Sequence, residues 1–83
     1  MAFILPQRQT KQLKLKKLGT VTVQQLSIGD VLTVQKEKDE TKMMLDMVSR
    51  ALVEPKITIE ELNQLPMAYI DDFTKIVEFA VEQ

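Results

Sequence analysis

The stretch PKITIEELNQLP, Pro55 to Pro66, limits what this chain can fold into more than any other. Pro55 disfavours α geometry at Glu54 and so ends any helix that precedes it. Thr58 and Glu61 stand three apart, the spacing of a capping box, which predicts a short helix over 59–64. Pro66 suits the first turn of a further helix, where its missing N–H costs nothing. One helix must stop, a capped turn must follow, and another helix must restart. That is a corner between helices, and it names no chemistry.

On each side of this corner the apolar residues recur with a helical period. In ETKMMLDMVSRALV, residues 40–53, Met43, Met47, Ala51, Met44, Val48, Leu52 and Leu45 span an arc of roughly 200°, twice the usual ~100° stripe. Such a helix is either central to its bundle or touched on two sides, by its own domain and by a partner. Methionine fills irregular cores and also suits surfaces that meet varied partners. Met43, Met44 and Met47, with Leu45, are therefore candidates for a client face as well as for the core. The last segment, 67–82, has a narrower stripe of Tyr69, Ile70, Phe73, Ile76, Val77, Ala80 and Val81. Phe79 falls outside it, beside Asp72, and is a candidate contact with another chain.

Towards the N-terminus the period changes to two. Leu13 and Leu15 alternate with Lys14 and Lys16, and Val21 and Val23 with Thr20, Thr22 and Gln24, the pattern of half-buried strands. Gly19 between them allows a tight turn, so a β-hairpin is expected over 12–24. Its lysines either guard an edge against stray pairing or meet nucleic acid. Edge protection is the better account, because a single-strand groove needs stacking aromatics and this stretch has none. Ser27 can cap a helix over 28–36, and the polar run QKEKDETK, residues 35–42, is either an exposed break, the better reading, or the polar middle of one longer helix. Residues 1–11 read as a loose arm whose Phe3, Ile4 and Leu5 either plug the core or dock elsewhere. The fold class expected is α+β, mainly α, in a single domain over 1–83.

Several function classes are excluded by composition. Without histidine or cysteine there is no Ser-His-Asp or Cys-His triad and no zinc site built on those ligands. No apolar run approaches the ~18 residues of a membrane span. MAFILP lacks the basic flank and cleavage site of a signal peptide, so a cytoplasmic protein is expected. Glu60–Glu61 and Asp71–Asp72 are adjacent pairs near helix starts, where they favour the macrodipole and do not converge on one ion. The expectation is a non-enzymatic protein with no cofactor. The acids also argue against a DNA-reading helix after Pro66.

Charge is unevenly distributed along the chain. Residues 1–18 carry Arg8, Lys11, Lys14, Lys16 and Lys17 and no acid, while residues 57–83 carry six acids against the single Lys75, a net −5. These runs are either solvated faces or poles that align copies head to tail. Lys14, Lys16, Lys17, Asp71 and Asp72 are the candidate self-association residues, and a homo-oligomer is expected.

The order VTVQQLSIGDVL, then the apolar helix, then VEPKITIEELNQLP and a closing amphipathic helix, resembles the phage tail assembly chaperones. These are small proteins encoded just before the tape measure. The resemblance covers about Val21 to Ala80 and is best at Leu26–Ser27 and Pro55 to Pro66. It implies binding to the tape measure protein, help in placing the tail-tube protein along it, and self-association. The competing expectation is a small cytoplasmic regulator or adaptor of antitoxin type that binds a basic protein through the acidic C-terminal helix.

Overall fold

Alternating leucines and valines build two antiparallel strands, β1 (Thr10–Leu15) and β2 (Gly19–Gln24), in the register Leu13↔Val21 and Leu15↔Gly19. The computed structural model describes Phe3, Ile4 and residues 7–81. Gly19 takes φ +79 at the start of β2, in the left-handed region that favours glycine. The hairpin begins at Thr10 rather than Gln12, because Thr10 pairs with Gln24 and the Gln25 N–H donates to the Gln9 carbonyl at 3.0 Å. The arm is correspondingly shorter than residues 1–11. Phe3 and Ile4 are 83% and 86% exposed and do not plug the core; Leu5 lies outside the described residues.

Helix α1 (Ile28–Val34) opens with a reciprocal capping box. The Asp30 N–H donates to Ser27 Oγ at 3.0 Å, and the Ser27 N–H donates to Asp30 Oδ2 at 3.1 Å. The polar break follows, and Asp39 caps α2 (Glu40–Ala51) by accepting from the N–H groups of Thr41 and Lys42. Here the sequence expectation needs correction: the helix stops at Ala51, and Leu52–Glu54 form a third strand, β3. Pro55 denies helical geometry to Glu54. Once extended, the segment finds backbone partners on β2, with Val23 opposite Leu52. The sheet order is β1-β2-β3. Leu52 is fully buried while Val53 turns outward, as a period of two requires.

After Pro55, the capping box expected at Thr58 and Glu61 is present and starts α3 (Ile59–Asn63). Pro66 caps a short 3-10 turn, Met67–Tyr69, and α4 runs from Ile70 to Ala80. The last helix is therefore tighter in its first turn than expected, and its expected end at Glu82 lies outside the described residues. With three strands and four helices among the described residues, the fold is α+β and mainly α.

The core lies between the sheet and the pair α2 and α4. Leu15, Val21 and Val23 form one buried cluster with Leu45, Val48, Ala51, Leu52, Leu62, Phe73, Ile76 and Ala80. α2 packs most extensively against α4 and also against α1 and α3. Its wide apolar arc is therefore used by its own chain. Full burial of a Leu, Ile or Val contributes roughly 1.5–3 kcal/mol, so these side chains are the main force holding the sheet to the helices.

Candidate functional site: an open apolar groove

One carboxylate ties α1 both to α2 and to the residues before the hairpin. Asp30 Oδ1 meets Arg50 Nη1 of α2 at 3.0 Å, Asp30 Oδ2 meets Arg8 Nη1 at 3.1 Å, and Arg50 Nε in turn meets Asp46 Oδ1 at 2.8 Å. Burial acts to raise the Asp30 carboxyl, but its bonds with Ser27 and Arg50 and the charge of Arg8 outweigh this and hold it below the usual aspartate range. Arg50 is raised, first by its bond to Asp46.

Asp30 and Val34 are four residues apart and so share one helix face. With Asp30 turned to α2 and Val34 buried, the row Ile28–Leu32–Gln35 is turned away. Ile28 is 82% exposed, Leu32 58% and Val81, just past α4, 47%. These side chains, with Leu26 and Val31, line an open groove of about 440 Å3 between α1 and the end of α4. The Leu26 N–H donates to the Ala80 carbonyl at 3.0 Å and so fixes the groove's two walls together. Gln25, Ser27 and Gln35 are the polar lining residues. The Ser27 side chain is already engaged in the capping box. The groove therefore has the means to hold an apolar ridge and no acid–base pair to act on it. Among the described residues, no cluster of three or more acids is placed to hold a metal ion.

The residues expected to bind a client lie elsewhere. Leu45 is buried in the core, which corrects its assignment to a partner-binding surface. Met44 is half-buried against that core, and Met43 and Met47 are half-buried on α2. Phe79 also packs half-buried on the core, against expectation, and shares a depression with Lys11, Leu13, Lys75 and Glu78.

The fold also rearranges the charged candidates. Lys14, Lys16, Lys17 and Asp71 are exposed. Asp72 is only 1% exposed, and its Oδ2 accepts from the backbone N–H groups of Lys17 and Leu18 at 2.8 and 2.9 Å. It ties the hairpin turn to α4 and is unavailable for contacts between copies, contrary to expectation. Lys16 lines the same depression as Asp71 and Glu78, so the fold brings part of the basic run beside the acidic one.

No motif in the sequence marks Ile28, Leu32 and Val81 as a groove: Ile28, Val31 and Leu32 share one helix face as core residues do, and Val81 continues the apolar stripe of the last segment. The available signal was Asp30 and Val34 on a different row of the same short helix. Comparison of the chain with known protein families, curated proteins and solved structures finds no match.

Proposed function

We propose that the protein is a non-enzymatic assembly chaperone of the phage tail type, working in the host-cell cytoplasm without a cofactor. Its client is the long helical tape measure protein, and it helps to place the tail-tube protein along that client. The observation that carries this reading is the open apolar groove with Ile28 and Leu32 on its wall. An amphipathic client helix lays anchors spaced three and four residues apart into such a groove. Large apolar side chains grouped at one concave place mark an interaction site.

The magnitude matters. Covering Ile28, Leu32 and Val81 yields on the order of 3–5 kcal/mol. Association costs an estimated 4–15 kcal/mol. One groove therefore holds one client segment weakly, and firm holding comes from many copies on one long client. That suits a chaperone that must later be displaced. Resemblance of the segment Val21 to Ala80 to the tail chaperones supports the same reading.

The test is to co-express the chain with the long helical protein encoded beside it and measure how much client stays soluble. The wild type and Met43→Ala should keep it soluble, whereas Ile28→Asp and Leu32→Asp should not. A client that is equally soluble without the chain, or equally held by both groove variants, refutes the proposal.

A further inference from the structure

The arm and the groove are two apolar surfaces of one chain that do not meet. Phe3 and Ile4 are almost wholly exposed, yet the root of the arm is fixed at the groove's rim. The Gln9 carbonyl accepts from Gln25, a groove residue, at 3.0 Å, and Arg8 is held at 3.1 Å by Asp30 of α1. Held this way, the chain does not place Phe3 and Ile4 in its own groove.

We propose that the groove is closed by the N-terminal arm of a second copy, Phe3 and Ile4 of each copy entering the groove of the other in a reciprocal two-fold dimer. Charge supports this occupant. The first acid in the chain is Asp30, so every charged side chain before it is basic; Arg8 is paired with Asp30, and Lys11, Lys14, Lys16 and Lys17 of the hairpin and its turn supply the rest. The groove is bordered by the C-terminal end of α4, whose last turn holds no basic residue. The helix dipole leaves partial negative charge at that end, where the Ala80 carbonyl already accepts from the Leu26 N–H. The lysine-bearing N-terminal region of one copy is therefore drawn towards the end of α4 in another, which brings the arm to its groove.

Reach and area fit as well. From Gln7 back to Phe3 an extended chain spans ~13–14 Å, enough to cross to a neighbour lying rim to rim. A phenylalanine alone brings ~150–250 Å2 of contact surface. With Ile4 and the groove walls included, two reciprocal arms bury on the order of 1,200 Å2, the lower end of a specific interface. Reciprocal exchange about a two-fold axis closes the contact as a dimer and leaves no arm free. It also covers the apolar groove until a client displaces the arm, a consequence that, unlike the dimer itself, rests on the client reading above.

The experiment is sedimentation equilibrium of the full chain, from micromolar to millimolar concentration, at low and high salt. The variants are Phe3→Ser/Ile4→Ser in the arm and Ile28→Asp in the groove, with Leu32→Ser as a second groove variant. All four positions are largely exposed, and circular dichroism checks that each variant is folded. The wild type should dimerise and remain dimeric in high salt, because the contact is apolar. Each variant should dimerise at least ~10-fold more weakly, a difference of about 1.4 kcal/mol. Mixing arm and groove variants should recover association, since an intact arm then meets an intact groove.

A wild type that stays monomeric throughout overturns the proposal. So does association that is unchanged in the variants, or a mixture no stronger than its components. A monomer whose Phe3 ring resonances shift in Ile28→Asp would place the arm in its own groove and overturn it too. No client enters the experiment, so failure here leaves the client reading standing.

Discussion

Replacing Asp72 should cost far more than replacing Asp71, although the two acids are adjacent and both lie in the first turn of α4. Asp72 is buried and its Oδ2 receives two backbone N–H groups from the hairpin turn, whereas Asp71 is exposed. An unsatisfied buried donor costs about 1–3 kcal/mol. Lys17 is exposed and Leu18 half-buried, so water reaches part of what alanine would abandon. Asp72→Ala should therefore cost about 2–4 kcal/mol. Asp72→Asn keeps an acceptor oxygen but loses the charge that strengthens both bonds and favours the helix start, a loss of about 1–2 kcal/mol. Asp71→Ala loses the dipole contribution alone, about 0.3–1 kcal/mol. A chain of this length has roughly 4–12 kcal/mol of stability in all. Urea unfolding followed by circular dichroism would therefore show the Asp72→Ala midpoint well below the others, at an unchanged slope. Equal midpoints for Asp72→Ala and Asp71→Ala would refute the claim that this carboxylate joins hairpin to helix.

The Asp30 carboxyl is lowered in the folded chain, so the stability it adds is complete above the ordinary aspartate value of about 3.9 and fades as pH falls through the folded value. Asp30→Asn should then be about 1–2 kcal/mol less stable at neutral pH, with the gap closing at the acid end; urea midpoints for the two proteins that stay parallel across the acid range would contradict this. On α2, Met44→Ala should cost about 2–3 kcal/mol because Met44 packs on the core, and Met43→Ala about 1 kcal/mol, since Met43 is not among the side chains against it. Thermal melts that rank Met43 above Met44 would place the wrong methionine inside.

Much of the fold was legible because local rules carry it. The Thr58 and Ser27 caps depend on residues three apart, and both are present as read. The alternation of Leu13 and Leu15 with lysines gives the hairpin its inner face in the same way. β3 was not legible. LVE continues the apolar period of the helix before it, and its strand state depends on a free edge of β2, which is far away in sequence. The groove was missed for a related reason: periodicity says that Ile28 and Leu32 share a face, while the burial of Val34 and the ion pair from Asp30 to Arg50, twenty residues on, turn the opposite face inward.

The sequence by itself determined where helices start and stop, which residues alternate in the strands, and that no histidine or cysteine chemistry exists in this chain. Those properties depend on neighbours within a turn of helix or a two-residue repeat, so a linear pattern suffices to state them. Only the tertiary structure decided that Asp72 is buried while Asp71 is not, that Leu45 belongs to the core, and that Ile28 and Leu32 are left uncovered. Each of these depends on which distant segment arrives opposite the side chain. A carboxylate in water and a carboxylate receiving two N–H groups from a hairpin turn look the same in a sequence, and differ by whether the turn is there.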